Sequence, residues 1–248
     1  MRRPAHLLSL LALAFLLVAC GGEDTPTPTA TVGPPTAESG QMMVADLVAM
    51  ADAAWPNVES MRTTSRSSVI TTAGDQPFNG SVQDWNRNGN RHIIEFQDGT
   101  AINEQIYADG VIYMRGVFVS AAVAPGLNVN TWIIVDSVAI DPDSQIGVQV
   151  TYLTREQANP YGLLSDDLLQ TPVHESGRVT VGDRSCMLYT FGDEANTGNE
   201  IRYEIAIDSD GLPCQVVQRA GDAQNSTVYE FNSGITIEAP LDDATPEP

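Results

Sequence analysis

Ile201-Arg202-Tyr203-Glu204-Ile205-Ala206-Ile207-Asp208 alternates more cleanly than any other stretch of the chain. Ile201, Tyr203, Ile205 and Ile207 point one way while Arg202, Glu204 and Asp208 point the other, which defines a half-buried antiparallel strand. The turn formers Asp208-Ser209-Asp210-Gly211 follow, so the next run, 213–220, must fold back beside it. Working outward, residues 173–181, 185–192, 200–208, 213–220 and 226–237 read as one set of strands. Upstream, 61–72, 78–87, 91–97, 101–107 and 111–119 read as another. Their boundaries are Ala73-Gly74-Asp75, Asn88-Gly89-Asn90, Asp98-Gly99 and Asp109-Gly110, and turns of two or three residues force antiparallel neighbours. The upstream set is therefore expected to be a meander. In 91–97 the apolar residues Ile93, Ile94 and Phe96 break strict alternation, as in a strand covered on both faces or one whose register shifts.

Two helices are expected beside this sheet. In 41–55, Met43, Leu47, Met50, Ala51, Ala54 and Trp55 recur at spacings of three and four, giving one apolar stripe. Pro56 ends it. In 161–170, Leu163, Leu164, Leu168 and Leu169 gather before Pro172, and this helix is expected to pack on the sheet. Residues 120–159 are looser, apart from the apolar run Trp132-Ile133-Ile134-Val135. The acidic residues 241–248 are expected to be a disordered tail.

The N-terminus has a different logic. Met1-Arg2-Arg3 precedes an apolar run from Leu7 to Ala19, which ends in Leu17-Val18-Ala19-Cys20-Gly21. Basic start, short apolar run and small residue are the layout of a secretory signal, and the run is too short to span a bilayer. With Cys20 it resembles the bacterial lipobox, whose cysteine becomes an acylated N-terminus. Residues 1–19 are then signal peptide and 20–40, rich in Pro and Thr, an extended tether. Residues 41–240 form one domain. The expected location is the cell membrane, lipid-anchored on the extracytoplasmic side through palmitate-type chains on Cys20.

Of 248 residues, twelve are Arg, none is Lys and 32 are acidic, for a formal charge of −20 that becomes −22 once Arg2 and Arg3 leave. Such a surface repels nucleic acid and anionic lipid headgroups, so neither is expected as a partner through charge alone, and the absence of lysine excludes Schiff-base chemistry. Besides Cys20 only Cys186 and Cys214 remain, an even pair in an exported chain that reads as a disulfide, with two separate buried thiols as the alternative. Lying two strands apart, they would be about 9.6 Å from each other in a flat sheet, too far to bond unless the approach through Gly211-Leu212-Pro213 brings Cys214 closer.

Several short motifs resemble the LolA-like lipoprotein-carrier superfamily, nearest its LppX/LprG-type lipid-binding lipoproteins. They are Gly110-Val111-Ile112-Tyr113-Met114, Thr131-Trp132, Val179-Thr180-Val181-Gly182, Ile205-Ala206-Ile207-Asp208 with Gly211-Leu212-Pro213, and Tyr229-Glu230-Phe231 leading to Ile237-Glu238-Ala239-Pro240. The resemblance implies an α+β fold: an incomplete antiparallel β-barrel, or curved meander sheet, with helices covering its concave face around an apolar cavity for acyl chains. The cysteine pair and the polar stretch 120–145 depart from the family's pattern.

Candidate cavity residues are Leu47, Met50, Ala54, Trp55, Tyr203, Ile205 and Ile207; by default Leu47, Met50, Trp55, Tyr203 and Ile205 read as core filled by side chains rather than as ligand contacts. Methionine would make such a pocket adaptable, and it is also an ordinary gap-filler. No nucleophile motif accompanies His92 or His174, and no metal-ligand spacing, phosphate loop or cofactor motif occurs. The chain is thus expected to be a non-enzymatic lipid or acyl-chain binder at the membrane. The alternative is a cell-surface interaction or envelope-sensing module of the same fold, with a protein partner and no transported ligand.

Overall fold

The computed structural model describes residues 41–69, 78–123, 125–135, 166–192, 201–240 and 245–246. The chain divides into two units, Met1–Thr36 and Ala37–Pro248, and every described residue belongs to the second. Strands β1 (Ser60–Val69), β2 (Asn79–Asn86), β3 (Arg91–Gln97), β4 (Thr100–Ala108), β5 (Val111–Gly116) and β6 (Ile133–Val135) form one antiparallel meander. Strands β7 (His174–Val181), β8 (Arg184–Gly192), β9 (Ile201–Ile207), β10 (Pro213–Ala220) and β11 (Ala223–Phe231) form a second. The two fuse where β1 pairs with β11, in register from Met61↔Phe231 to Val69↔Ala223. A two-residue strand, β12 (Thr245–Pro246), adds to β6 in parallel. The sheet runs from β12 at one edge to β7 at the other and does not close, so the expected incomplete barrel is a large, open, curved antiparallel sheet with few helices.

The hairpins follow their turn chemistry. Asp98-Gly99 and Asp109-Gly110 all have positive φ (51° and 77°, 53° and 84°), the left-handed pair that tight hairpins demand. Three expected boundaries move for physical reasons. The strand placed at 226–237 starts at Ala223, after the turn residues Gly221-Asp222, and stops at Phe231 because Asn232 turns left-handed at φ 56°. The strand placed at 111–119 stops at Gly116, where φ is 123° and a Cβ would collide with the Ile102 carbonyl, and Val119–Val123 then forms a π-helical turn. In β3 Ile93 is buried on one face while Ile94 and Phe96 are half-buried on the other, and the register shift opposite Glu95/Phe96 leaves Ile102 of β4 as the extra residue. Of the helix expected at 161–170, Asp166–Leu169 is helical and 161–165 lie outside the described residues.

Helix α1 (Val44–Ala54) starts and stops for local reasons. The Asp46 carboxylate, in the first turn, accepts the Met43 amide at 2.8 Å and stands at the positive end of the helix dipole. At the other end Pro56 follows, and the chain tightens into a 3-10 turn, Trp55–Asn57. The Arg87 guanidinium, from the β2–β3 turn, donates to the carbonyls of Trp55, Pro56 and Val58, of which Trp55 O also accepts the Val58 amide. Among the described residues no helix is long and apolar enough to cross a membrane.

Candidate functional site

Side chains directly opposite in an antiparallel pair share a face, so the register sorts the sheet into two surfaces. Ile205 of β9 lies between Tyr189 of β8 and Val216 of β10. On this face α1 sets Val44, Leu47 and Ala51 against Tyr189, Phe191, Ile205 and Ile207, all buried, with Met50, Leu168, Leu169 and Tyr203 packed around them. The buried stripe is Val44, Leu47, Ala51 and Ala54, so it begins one residue later than the expected Met43, which is only half-buried. One helical turn on, Ala54 joins Val58, Met61, Trp85, Leu212 and Tyr229, with Trp55 stacked on Trp85 at 5.5 Å.

The seven candidate cavity residues therefore meet on one face but divide between two clusters. Leu47, Ile205 and Ile207 are at most 1% exposed and fill the space between α1 and β8–β9, with Met50 and Tyr203 at its margin. Ala54 and Trp55 belong to the second cluster. Val44, Ala51, Val173, Tyr189 and Phe191 complete the buried first cluster, and alternation in β8 (Met187, Tyr189, Phe191) was the signal that could have found the last two. Phe191 stacks on Tyr203 with ring planes 8° apart and centroids at 4.9 Å. Burial raises the Tyr203 phenol above its ordinary value, and burial, reinforced by Glu175, does the same for Tyr189.

Beyond α1 the same face changes character. In the rows running from β11 across β1 to β2 the residues are Tyr229, Thr63 and Gln83, then Thr227, Ser65 and Ser81. The Ser65 and Thr227 hydroxyls bond each other at 2.9 Å. Apolar burial resumes at Ile93, Ile112, Met114, Val119, Ile133 and Val135. One face thus carries two apolar clusters around α1 and a third near β5–β6, separated by a polar band.

Two pockets open beside these clusters. One, of about 330 Å³, is lined by Thr171, Pro172, His174, Thr190, Phe191, Gly192, Arg202 and Glu204, at the edge of the α1 cluster. The other, of about 290 Å³, lies along the ends of β4 and β5 and includes Glu104, Arg115, Val117 and Val129. On the face away from α1, the Glu104 carboxylate bonds His92 at 2.7 Å and the Arg115 guanidinium, which lies over the Trp132 ring. Burial pushes the Glu104 carboxyl up, but the bonds from His92 and Arg115 outweigh it and hold the group below the ordinary carboxylate range. Among the described residues no group of three His, Cys, Asp or Glu side chains is arranged to hold a metal ion.

Cys186 and Cys214 form a disulfide. Both are fully buried around Ala206 on the face opposite α1.

No family model matches the sequence, and no curated protein matches it. Solved structures that match include the Mycobacterium tuberculosis lipoprotein LppX, at 9% identity and a TM-score of 0.47, covering 79% of this chain and 98% of that one. LprF from Mycobacterium bovis matches at 10% identity and a TM-score of 0.42, covering 79% and 96%. A LolA superfamily protein from Nitrosomonas europaea matches at 7% identity and a TM-score of 0.27, covering 76% and 92%.

Proposed function

We propose that this chain is an exported lipoprotein, anchored through acylated Cys20, that binds lipids or acylated molecules between α1 and the sheet. The observation that carries the reading is the laying of one amphipathic helix over the apolar end of an open sheet. Leu47 and Met50 pack with Tyr203, Ile205 and Ile207, and one turn on Ala54 and Trp55 pack with Met61, Trp85 and Tyr229. Displacing α1, with Met50 and Met43 as adaptable margins, would open apolar space on the scale of an acyl chain. Burial at roughly 25 cal/mol per Å² is enough to retain a lipid tail there. Helices would then cover the concave face as the family resemblance implies.

A second reading, an interaction or envelope-sensing module, is favoured by the completeness of burial at Leu47, Ile205 and Ile207 and by the polar band Thr63, Ser65, Ser81 and Gln83. Mass spectrometry of the full chain, purified from membranes under non-denaturing conditions, separates the two. A stoichiometric co-purifying lipid is the expected result, and a chain that never carries one leaves the module. Cys20→Ser should shift the protein out of the membrane fraction. Unchanged fractionation would overturn the anchor.

A further inference from the structure

Val69 and Ile201 are large apolar side chains left 56% and 38% exposed, and they stand far apart in the chain. The sheet brings them into one row. Val69 of β1 pairs with Ala223 of β11, Ala223 with Ala220 of β10, and Ala220 with Ile201 of β9. All four therefore lie side by side on the α1 face, at the tips of four adjacent strands, and both alanines are exposed as well. The next apolar-face row inward is Ser67, Asn225, Gln218 and Tyr203, largely polar, so the outer row is a separate band and not the frayed margin of the core.

The same end of the sheet receives the N-terminal segment. The Val44 amide donates to Thr171 O and the Val173 amide to Met42 O, both at 3.0 Å, next to His174, which pairs with Thr190. Two residues further along β8, Gly192 pairs with Arg202, the neighbour of Ile201. Gln41, where the described residues begin, is thus at the tip that carries the apolar row, 21 residues after Cys20. Such a tether spans at most about 70 Å. In a chain of net charge −20, Arg202 and Arg219 stand one residue inside the row on the other face and Arg66 three residues inside it, with Arg66 over Phe78 and Arg219 bonded to Glu204. Asp98 and Asp222 occupy hairpin turns at the same end.

We infer that the row Val69, Ala223, Ala220 and Ile201 is a rim that docks on the lipid bilayer, and that the tether entering at the same end holds it there. The inference rests on the anchored-lipoprotein reading above. Four small or branched apolar side chains are too few for tight free binding. A tethered domain meets the bilayer at high effective concentration, so a weak contact suffices to orient it. Arginine guanidinium groups just behind such a rim suit the phosphate level of the headgroups. Docked in this way, the pocket lined by Thr171, Phe191 and Arg202, and the joint between α1 and β8–β9 beside it, open toward the membrane that supplies acyl chains.

The test uses the full, acylated chain reconstituted on vesicles of phosphatidylcholine with a minority of phosphatidylglycerol. Because Cys20 is acylated and Cys186 is bonded to Cys214, a substituted cysteine is the one free thiol. Val69→Cys, Ile201→Cys and, at the far end in the β2–β3 turn, Asn88→Cys are each labelled with an environment-sensitive dye and read with nitroxide-lipid quenchers. Quenching several-fold stronger at positions 69 and 201 than at 88 is the expected result. A probe at Ala223→Cys should lose that quenching when Val69→Asp and Ile201→Asp are added. Vesicle-bound protein with equal quenching at all three positions overturns the rim and leaves the anchor intact, whereas protein that fails to float with vesicles overturns both. Dye shielding that appears without vesicles and rises with protein concentration assigns the row to a second copy of the chain and likewise overturns the rim.

Discussion

Cys186 and Cys214 are bonded across β9, on strands that are not neighbours, with their Cα atoms 6.6 Å apart. Two strand spacings of a flat sheet would put them at about 9.6 Å. The difference arises where the β9–β10 register shifts between Pro213 and Gln215, leaving Cys214 as the extra residue of a bulge. The bulge draws Cys214 toward Cys186 over the small side chain of Ala206.

Opening this bond should therefore be felt throughout the second meander. The bridge closes a sequence separation of 28, which corresponds to about 3 kcal/mol of stability. Thermal unfolding of Cys186→Ser/Cys214→Ser against the parent is expected to show a loss of that order. Peptide mapping without reductant should recover the two cysteines in one linked fragment, and two free thiols in exported protein would contradict the assignment.

Arg87 holds the 3-10 turn that follows α1 to the β2–β3 hairpin through three backbone carbonyls. Its side chain is 43% exposed and its ion pair with Glu59 is looser, at 3.6 Å, so the carbonyl bonds matter more than the charge pair. Arg87→Ala is expected to cost about 1–2 kcal/mol in urea unfolding. Arg87→Lys should recover only a minority of it, since an ammonium cannot span the three acceptors as a planar guanidinium does. A fully stable Arg87→Ala would show that the helix end holds without the clamp.

Glu104 links His92 and Arg115 on the face away from α1, and its carboxyl is held below the ordinary range. A depressed folded-state pKa means that the interaction contributes above the unfolded carboxylate value and is lost as pH falls through the folded value. The stability difference between the parent and Glu104→Gln should accordingly be largest near neutrality and shrink as pH drops below about 4. Urea midpoints at pH 7, 5 and 3 measure it, and a constant difference across that range would remove Glu104 as its source.

Ala54 separates the carrier from the module. It sits 9% exposed where α1 meets Met61, Trp85 and Tyr229. If apolar space opens there for a ligand, Ala54→Trp should block fluorescent fatty-acid uptake with little change in thermal unfolding. In a closed core the same substitution overfills the joint and costs about 1–3 kcal/mol. Lost stability with no uptake in the parent would end the carrier reading.

Local chemistry was legible in the sequence wherever a few adjacent residues decide the outcome. Alternation in 201–208, the Asp-Gly turns and the Pro56 stop each act within a handful of residues, and the strands and α1 appear within a few positions of where those signals put them. The even cysteine pair likewise pointed to a bond. Its geometry did not follow, because the bulge at Cys214 exists only through pairing with β9.

What tertiary structure alone decided is how the pieces face one another. Nothing in 60–69 or 223–231 announces that these strands pair, yet that ladder fuses two meanders into one sheet and brings Val69 beside Ala223. The division of seven candidate residues between two clusters, and the polar band of Thr63, Ser65, Ser81 and Gln83 on the same face, also come from register. Sequence periodicity tells which side chains share a face of one strand. Which strands adjoin, and so which faces merge into a core or a rim, is set by contacts between residues far apart in the chain, which no local pattern encodes.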